Sequence, residues 1–252
     1  MKPNITAIIL AKNEGNRIEK CLASLSWVKE IIVIDNGSTD NTRELVERHH
    51  IKLIEDKETD FSKLRNKGKD IASGLWLLYV DADEQVSQEL ERKIESVMST
   101  FDVSKDPKGY FIKRKNYYLG HEWPFMDKMH RLFWKKSLKG WEGKLHETAI
   151  IDGEVGTIYE PLIHDTHRTL SEMVEKTNVW SEVEARLRMD YGHPPVVWWR
   201  FLRVMITSFW DSFVSQRGWK AGTVGWIESI YQSFSIFITY AKLWELQQKE
   251  HS

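Results

Sequence analysis

The sequence predicts an α/β fold, with a mostly parallel sheet flanked by helices and a helical appendage at the C-terminus. Short apolar runs of strand length alternate with segments of helical periodicity across residues 1–90. This alternation is typical of a parallel sheet that is covered on both faces. From residue 169 the pattern becomes helical, and seven of the twelve tryptophans lie between Trp180 and Trp244. We therefore expect one domain over residues 1–168 and a helical region over residues 169–252.

The individual elements follow from the apolar spacing and from turn residues. Asn13 is the predicted N-cap of the first helix, and the Gly-His-Pro-Pro sequence at residues 192–195 is expected to interrupt the C-terminal helices. Strands are predicted over residues 5–11, 30–35, 51–54, 75–80, 109–119 and 148–158. Helices are predicted over residues 42–49 and 61–73, in addition to the helix that follows Asn13.

The composition argues against several classes of protein. Lys and Arg number 36 against 37 Asp and Glu, so the chain lacks the basic excess of a dedicated nucleic-acid-binding protein. Cys21 is the single cysteine, which excludes a disulfide framework and a cysteine zinc site. No signal-peptide pattern precedes the first strand, and no uninterrupted apolar run reaches about 18 residues. We therefore expect a cytoplasmic protein, either free or attached peripherally to the inner face of the cytoplasmic membrane.

Polar residues follow the predicted strands at the edge of the sheet where α/β proteins bind ligands. Asp81 and Asp83 follow the strand over residues 75–80. In extended backbone they would face the same way, roughly 6–7 Å apart. Carboxylates at this spacing can hold Mg²⁺ or Mn²⁺ together with diphosphate oxygens. The alternative is a solvated acidic turn that caps the next helix.

Two further segments offer groups for a nucleotide. Asp35 and Asn36 end the second strand, where a carboxylate or an amide can accept the N3–H of a uracil or bind a ribose. Gly37 allows the backbone to approach a ligand closely. Arg65, on the helix before the Asp-x-Asp strand, could reach a pyrophosphate. The alternatives are an ordinary strand-to-helix turn and a solvated surface arginine.

These motifs together resemble a known family. Residues 8–14, 33–40, 65–68 and 78–84 are similar in sequence, order and spacing to family 2 glycosyltransferases of the GT-A fold. Later segments are similar to the bacterial branch that includes lipopolysaccharide-core glycosyltransferases; they are residues 130–133, 141–147, 161–164 and 240–245. The chain contains neither the G-x-G-x-x-G nor the P-loop motif, so dinucleotide oxidoreductases and P-loop NTPases fit poorly.

The resemblance implies an inverting transferase that uses a nucleotide sugar, expected to be a UDP-sugar, and a divalent metal, Mn²⁺ or Mg²⁺. The acceptor would be a glycan or glycolipid in lipopolysaccharide or other envelope polysaccharide synthesis. The nucleotide-sugar half would cover residues 1–90 and the acceptor half residues 91–168. Asp83 would be the main metal ligand, and Asp81 would contact the ribose or the metal. The residues expected to line the nucleotide-sugar site are Ala11, Asn13, Glu14, Asp35, Asn36, Arg65, Asp81 and Ala82.

One departure from the family pattern concerns the first strand end. Family members often have Thr-Tyr or Ser-Tyr before the asparagine, whereas this chain has Ala11 and Lys12. A contact to the base from an aromatic ring or a hydroxyl is therefore not expected here. Lys12 offers a positive charge to a phosphate instead.

An inverting transfer needs a carboxylate that takes the proton of the acceptor hydroxyl. Asp127 is the first candidate, because many family members keep an acidic residue a few positions before an arginine. Its alternative role is an ion pair with Arg131. Glu147 is the second candidate. His146 is the expected third metal ligand, with His164 as the other possibility, and the alternative for each is a structural histidine.

The tryptophans and arginines of the C-terminal helices allow two interpretations. Apolar residues at spacings of three and four form either a helix–helix seam or an interfacial membrane surface. Two other functions are kept as alternatives to a glycosyltransferase. One is a sugar-nucleotide nucleotidyltransferase, although Gly15 is the only glycine after the first strand where a glycine-rich loop would be expected. The other is a non-catalytic nucleotide-sugar-binding scaffold.

Overall fold

The computed structural model describes residues 2–58, 60–143, 147–166 and 168–250. The chain forms two compact units. The first contains residues 1–115 and 127–164, and the second contains residues 116–126 and 165–252. The expected division of the chain at residue 168 stays a prediction.

The first unit is built on a mixed sheet with helices on its faces. Its strands and those that continue into the second unit are β1 (Ile5–Ala11), β2 (Glu30–Asp35), β3 (Lys52–Glu55), β4 (Trp76–Asp81), β5 (Glu84–Val86), β6 (Gly109–Tyr118), β7 (His121–Trp134), β8 (Leu138–Glu142), β9 (Thr148–Ile151) and β10 (Val155–Asp165). Its helices are α1 (Ile18–Ser24), α2 (Thr42–Arg48), α3 (Phe61–Ile71) and α4 (Gln88–Thr100). The sheet order is β3-β2-β1-β4-β7-β6-β10-β5, and β8 pairs with β9 in a separate two-stranded sheet.

The strands β3, β2, β1 and β4 are parallel, which confirms the predicted fold class. Their register aligns the strand ends that carry the candidate site. Ala11 lies opposite Asp35, and Leu10 lies opposite Asp81. The strand β7 runs antiparallel to β4, with Leu132 opposite Leu78.

Alternate residues of the central strands enter two different cores, because successive side chains of a strand point to opposite faces. In β1, Ile5, Ala7 and Ile9 pack in the cluster that contains buried residues of α1, α2 and α4. Ile8 packs in the other cluster, which contains Leu64 of α3. The sheet is therefore buried on both faces, as its continuous apolar strands predict.

Three local predictions are wrong. Asn13 does not cap the first helix: α1 begins at Ile18 after Arg17, and Asn13 lies in a left-handed turn with φ 56°. The segment over residues 148–158 is not one strand, because a turn at Gly153 separates β9 from β10. The helix predicted over residues 61–73 ends at Ile71.

The second unit is mainly helical. Its helices are α5 (Leu170–Asp190), α6 (Trp198–Trp210) and α7 (Gly222–Glu250). The predicted interruption at residues 192–195 lies between α5 and α6, where the structure has no helix. A small core of Ala185, Val204 and Leu243 joins the three helices. Within the described part of the chain, none of the helices combines the length and the apolar character needed to cross a membrane.

The close approach of Gly74 to β1 provides a test of the fold. A Cβ atom at this position would lie 2.6 Å from the backbone nitrogen of Thr6 and 2.9 Å from the carbonyl carbon of Ile5. Backbone in the middle of a sheet cannot move aside as a side chain can, so we predict that Gly74→Ala lowers the free energy of unfolding by about 1–3 kcal/mol. Urea denaturation measures this change. Leu75→Ala, at a neighbouring position that is 46% exposed, is the control and should cost much less; equal losses would contradict the prediction.

Candidate active site

The loops that follow β1 and β2 are tied to each other by hydrogen bonds. The backbone N–H of Asn13 donates to Ser38 Oγ (2.9 Å), and the N–H of Thr39 donates to Asn13 Oδ1 (2.8 Å). The N–H of Glu14 donates to Thr42 Oγ1 (2.8 Å). The side chains of Asn13, Ser38 and Thr42 therefore tie the loop after β1 to the loop after β2.

Asp35 is the carboxylate that ends β2. Its side chain is fully buried, and Oδ2 accepts the backbone N–H of Ser38 (3.0 Å). Oδ1 has no hydrogen-bond partner among the described residues. Because an unsatisfied buried acceptor costs free energy, this oxygen is suited to a ligand donor. Its neighbour Asn36 is half-buried and donates its backbone N–H to Ala11 O (2.8 Å).

Asp81 is held by two arginines. Arg131 donates to both carboxylate oxygens of Asp81, and Arg65 Nη2 donates to Oδ1 (3.2 Å). Burial alone would raise the pKa of Asp81, but the positive charges of Arg131 and Arg65 outweigh burial and hold that pKa well below its usual value. Asp81 is therefore ionised across the physiological pH range.

The Asp-x-Asp segment does not continue as extended backbone. Ala82, which is buried, and Asp83 form a turn between β4 and β5. The prediction that Asp81 and Asp83 face the same way is therefore not supported. Asp83 Oδ2 lies 3.3 Å from Nε2 of His164 on β10 and 3.6 Å from Nη1 of Arg17. The two aspartates thus have different partners.

The predicted metal ligands are only partly described by the structure. His146 lies outside the described residues. Among the residues that are described, no group of three or more His, Cys, Asp or Glu side chains is arranged to hold a metal. The pair of Asp83 and His164 nevertheless offers one carboxylate oxygen and one imidazole nitrogen, a donor set that suits Mn²⁺.

Arg65 links three parts of the first unit. Its Nε donates to Glu147 Oε1 (2.7 Å), while Nη2 reaches Asp81. Its guanidinium lies over the rings of Tyr79 and Trp141, at 5.7 and 5.0 Å from the ring centroids. Arg65 is 5% exposed, so the interpretation as a solvated surface arginine is wrong. Nη1 has no hydrogen-bond partner within the described ranges.

Asp127 is held by an arginine that the sequence analysis did not identify. Arg114 on β6 donates two hydrogen bonds to Asp127, at 3.1 and 2.5 Å. Its Nη1 also donates to Glu84 Oε1 (3.4 Å). The alternative of an ion pair between Asp127 and Arg131 assumed helical spacing. On a strand, residues four apart are separated by about 13 Å, and Arg131 instead donates to Asp81 and Glu84.

The buried pair of Glu84 and Arg131 was not predicted from the sequence either. Glu84 is fully buried and Arg131 is 1% exposed. Their hydrogen bond is 2.7 Å long, and the other oxygen of Glu84 accepts the backbone N–H of Asp81 (3.0 Å). Both residues lie in motifs that carry the family resemblance, so the resemblance could have identified them. Arg114 lies in no such motif, and the sequence does not distinguish it from Lys113 and Lys115, which carry the same charge.

The chain is similar in sequence to known glycosyltransferases. The sequence model of the Glycosyl transferase family 2 matches residues 6–146. The chain is 24% identical to the lipopolysaccharide core biosynthesis glycosyltransferase LpsC of Rhizobium meliloti, over 96% of this chain and 92% of that protein. It is 27% identical to an uncharacterized glycosyltransferase of Rickettsia prowazekii, over 98% of this chain and 89% of that protein.

A similar fold is found among solved structures. The crystal structure of S. aureus TarS 1-349 in complex with UDP-GlcNAc superposes with a TM-score of 0.51 and 14% sequence identity. The match covers 99% of this chain and 92% of that one. At this level of identity the likeness shows the GT-A fold alone.

The depressed pKa of Asp81 predicts how stability depends on pH. A carboxylate whose folded-state pKa is lowered stabilises the fold above its unfolded pKa, and this contribution is lost as the pH falls. We predict that Asp81→Asn reduces the loss of stability between pH 7 and pH 2, mostly below the unfolded pKa of about 4, because the amide does not titrate. Urea midpoints at both pH values measure this loss. Asp152→Asn is the control, because the side chain of Asp152 is 70% exposed, and it should lose as much stability as the wild type. An equal loss of stability in Asp81→Asn and in the wild type would contradict the prediction.

Proposed function

Because the chain belongs to the Glycosyl transferase family 2, we propose that it transfers a sugar, with inversion, from a UDP-sugar to a glycan or glycolipid acceptor. The observation that carries this proposal is the alignment of three parallel strand ends. β1, β2 and β4 end in register, and their last residues or the following loops carry Asp35, Asp81 and Asp83. Ligands of α/β proteins bind at this edge of the sheet.

Asp35 is the proposed contact to the base. The N3–H of uracil is a donor, and Asp35 Oδ1 is a buried acceptor without a partner among the described residues. Cytosine has an acceptor at N3, which this carboxylate would repel. Since a site built for one hydrogen bond rejects a ligand that lacks it, uridine nucleotides are favoured over cytidine nucleotides.

Asp83 and His164 are the residues that would hold the divalent metal. Their donor atoms are 3.3 Å apart, and a carboxylate oxygen beside an imidazole nitrogen is a donor set that suits Mn²⁺. The residues present therefore fit the ion. When bound, the metal would neutralise the charge that develops on the leaving diphosphate. Arg65 Nη1 is a further donor for a diphosphate oxygen.

Asp127 is the proposed general base. It would accept the proton of the acceptor hydroxyl as that oxygen attacks the sugar carbon. The side chain of Asp127 is 32% exposed, compared with 14% for Glu147, so an acceptor reaches it more easily. Asp127 accepts the fork of Arg114, and Arg114 therefore orients the proposed base.

The acceptor and the cellular role are proposed from the relatives. LpsC of Rhizobium meliloti is named for lipopolysaccharide core biosynthesis. We propose that the present chain acts in the same class of process, on a saccharide or lipid-linked glycan of the bacterial envelope. Such an acceptor is reached at the inner face of the cytoplasmic membrane, where we propose that the protein works as a peripheral enzyme.

The metal assignment gives a direct test. We predict that Asp83→Ala and His164→Ala each weaken Mn²⁺ binding by at least about tenfold, since each removes a ligand. They should also abolish metal-dependent UDP release from a panel of UDP-sugars. Mn²⁺ binding is read by electron paramagnetic resonance in the presence of UDP. Asp152→Ala and His49→Ala, at exposed positions, are matched controls.

Two results of that experiment would redirect the interpretation. Unchanged Mn²⁺ affinity in a folded His164→Ala variant would remove His164 from the metal site. Binding of UDP by the wild type without turnover of any nucleotide sugar would favour the non-catalytic scaffold.

The choice between the two candidate bases is tested with water as the acceptor. We predict that Asp127→Asn lowers UDP release from a UDP-sugar by about 10²–10⁴-fold. The affinity for UDP should stay unchanged, because the amide keeps the shape of the site. Glu147→Gln should instead weaken UDP binding through its contact with Arg65. The reverse pattern, with a larger rate loss in Glu147→Gln at unchanged affinity, would assign the base to Glu147.

A further inference from the structure

The exposed face of α6 carries a stripe of large apolar side chains. Trp198, Leu202, Ile206 and Trp210 follow at intervals of four residues and are 74, 56, 67 and 62% exposed. Residues four apart lie on one face of a helix. Large exposed apolar patches mark interaction sites. We propose that this face docks on an anionic lipid bilayer surface, a property that goes beyond the transfer reaction and does not depend on it.

The opposite face of α6 is packed, so the helix is held in place with the stripe outward. Val204 is buried in the core of the second unit. The ring of Phe201 lies 5.6 Å from that of Phe237 on α7, and Ser233 Oγ of α7 donates to Met205 O (3.0 Å). The two faces of α6 thus differ in role, since one fixes the helix and the other remains exposed among the residues that the structure describes.

The charges beside the stripe favour an anionic partner. Arg200 and Arg203 are the only charged residues of α6, and their guanidinium groups lie over the ring of Trp199 at 5.5 and 5.8 Å. Residues 198–221 contain four basic residues and one acidic residue. Just beyond α6 the same combination recurs, where Lys220 lies over the exposed ring of Trp219 at 5.3 Å. Arginine and tryptophan side by side suit the level of lipid headgroups.

A bilayer surface fits this face better than a second copy of the chain. Two copies that met through the same face would bring their arginines together, and like charges in an interface oppose association. The length of the helical segment also bears on its orientation. α6 continues directly into a π-helical segment, Asp211–Ser215, and together they span at most about 27 Å, which is less than the roughly 30 Å of a hydrocarbon core. The helix would therefore lie in the plane of the headgroups.

Vesicle co-sedimentation of the full chain, without nucleotide sugar, tests the proposal. The wild type should bind vesicles of phosphatidylcholine and phosphatidylglycerol, and should bind phosphatidylcholine alone much more weakly. Trp198→Ser combined with Ile206→Ser should weaken binding by at least about tenfold, because both side chains lose their burial in lipid. Arg200→Gln combined with Arg203→Gln should weaken it by about fivefold for each arginine removed.

Matched variants elsewhere make the result specific. Val103→Ser changes an apolar side chain that is 61% exposed in the first unit, and Arg48→Gln with Arg92→Gln removes two charges from other exposed positions. Both should bind vesicles like the wild type. The proposal fails if the α6 variants bind equally well. It also fails if the wild type forms a dimer in sedimentation equilibrium that the α6 variants lose, while no preparation binds anionic vesicles.

Discussion

The buried guanidinium of Arg131 is the interaction on which the geometry of the candidate site depends. It is almost inaccessible to solvent and donates to Asp81 and Glu84, one of which ends β4 and the other of which begins β5. Removing one partner from such a buried pair leaves an uncompensated charge and typically costs about 3–5 kcal/mol. The register of β7 against β4, with Leu132 opposite Leu78, places Arg131 beside the end of β4. The antiparallel strand thus fixes the turn in which the Asp-x-Asp motif lies.

This constraint separates the roles of two aspartates that look equivalent in the sequence. Asp81 accepts hydrogen bonds from two arginines, so its charge is already compensated by the protein. Asp83 lies in the turn itself and meets His164 and Arg17. In the proposed assignment, Asp83 and His164 hold the metal, and Asp81 is the carboxylate that the two arginines position.

The parallel half of the sheet could be predicted from the sequence almost residue by residue. β1 and β2 have the predicted bounds, because uninterrupted β-branched runs have few other stable arrangements. The strand-end rule then located Asp35, Asp81 and Asp83. The pairings of Arg114 and His164 could not be predicted. They come from β6 and β10, whose positions in the sheet depend on long-range antiparallel pairing that no local pattern encodes.

The same difference between local and long-range information explains two of the wrong predictions. Asn13 carries a helix-cap side chain, yet its oxygen accepts from Thr39 in the loop after β2, a contact between residues far apart in sequence. Asp127 precedes Arg131 by the spacing of a helical ion pair, but both lie on a strand. In each case the residue type correctly indicated that the side chain forms hydrogen bonds. Which residue it bonds to depends on the strands that the sheet brings together.

The charge of the whole chain and the charge of α6 have different consequences for a membrane surface. The formal net charge is −1, so the protein as a whole experiences no long-range attraction to anionic lipid. Screening limits exposed charges to about 8–10 Å at physiological salt, and within that distance only the local arginines and their neighbouring tryptophans matter. A short amphipathic helix of this kind gives modest and reversible binding. Reversible attachment would suit a transferase that binds acceptors in the membrane and donors from solution, because the folded enzyme can leave the membrane surface and bind to it again.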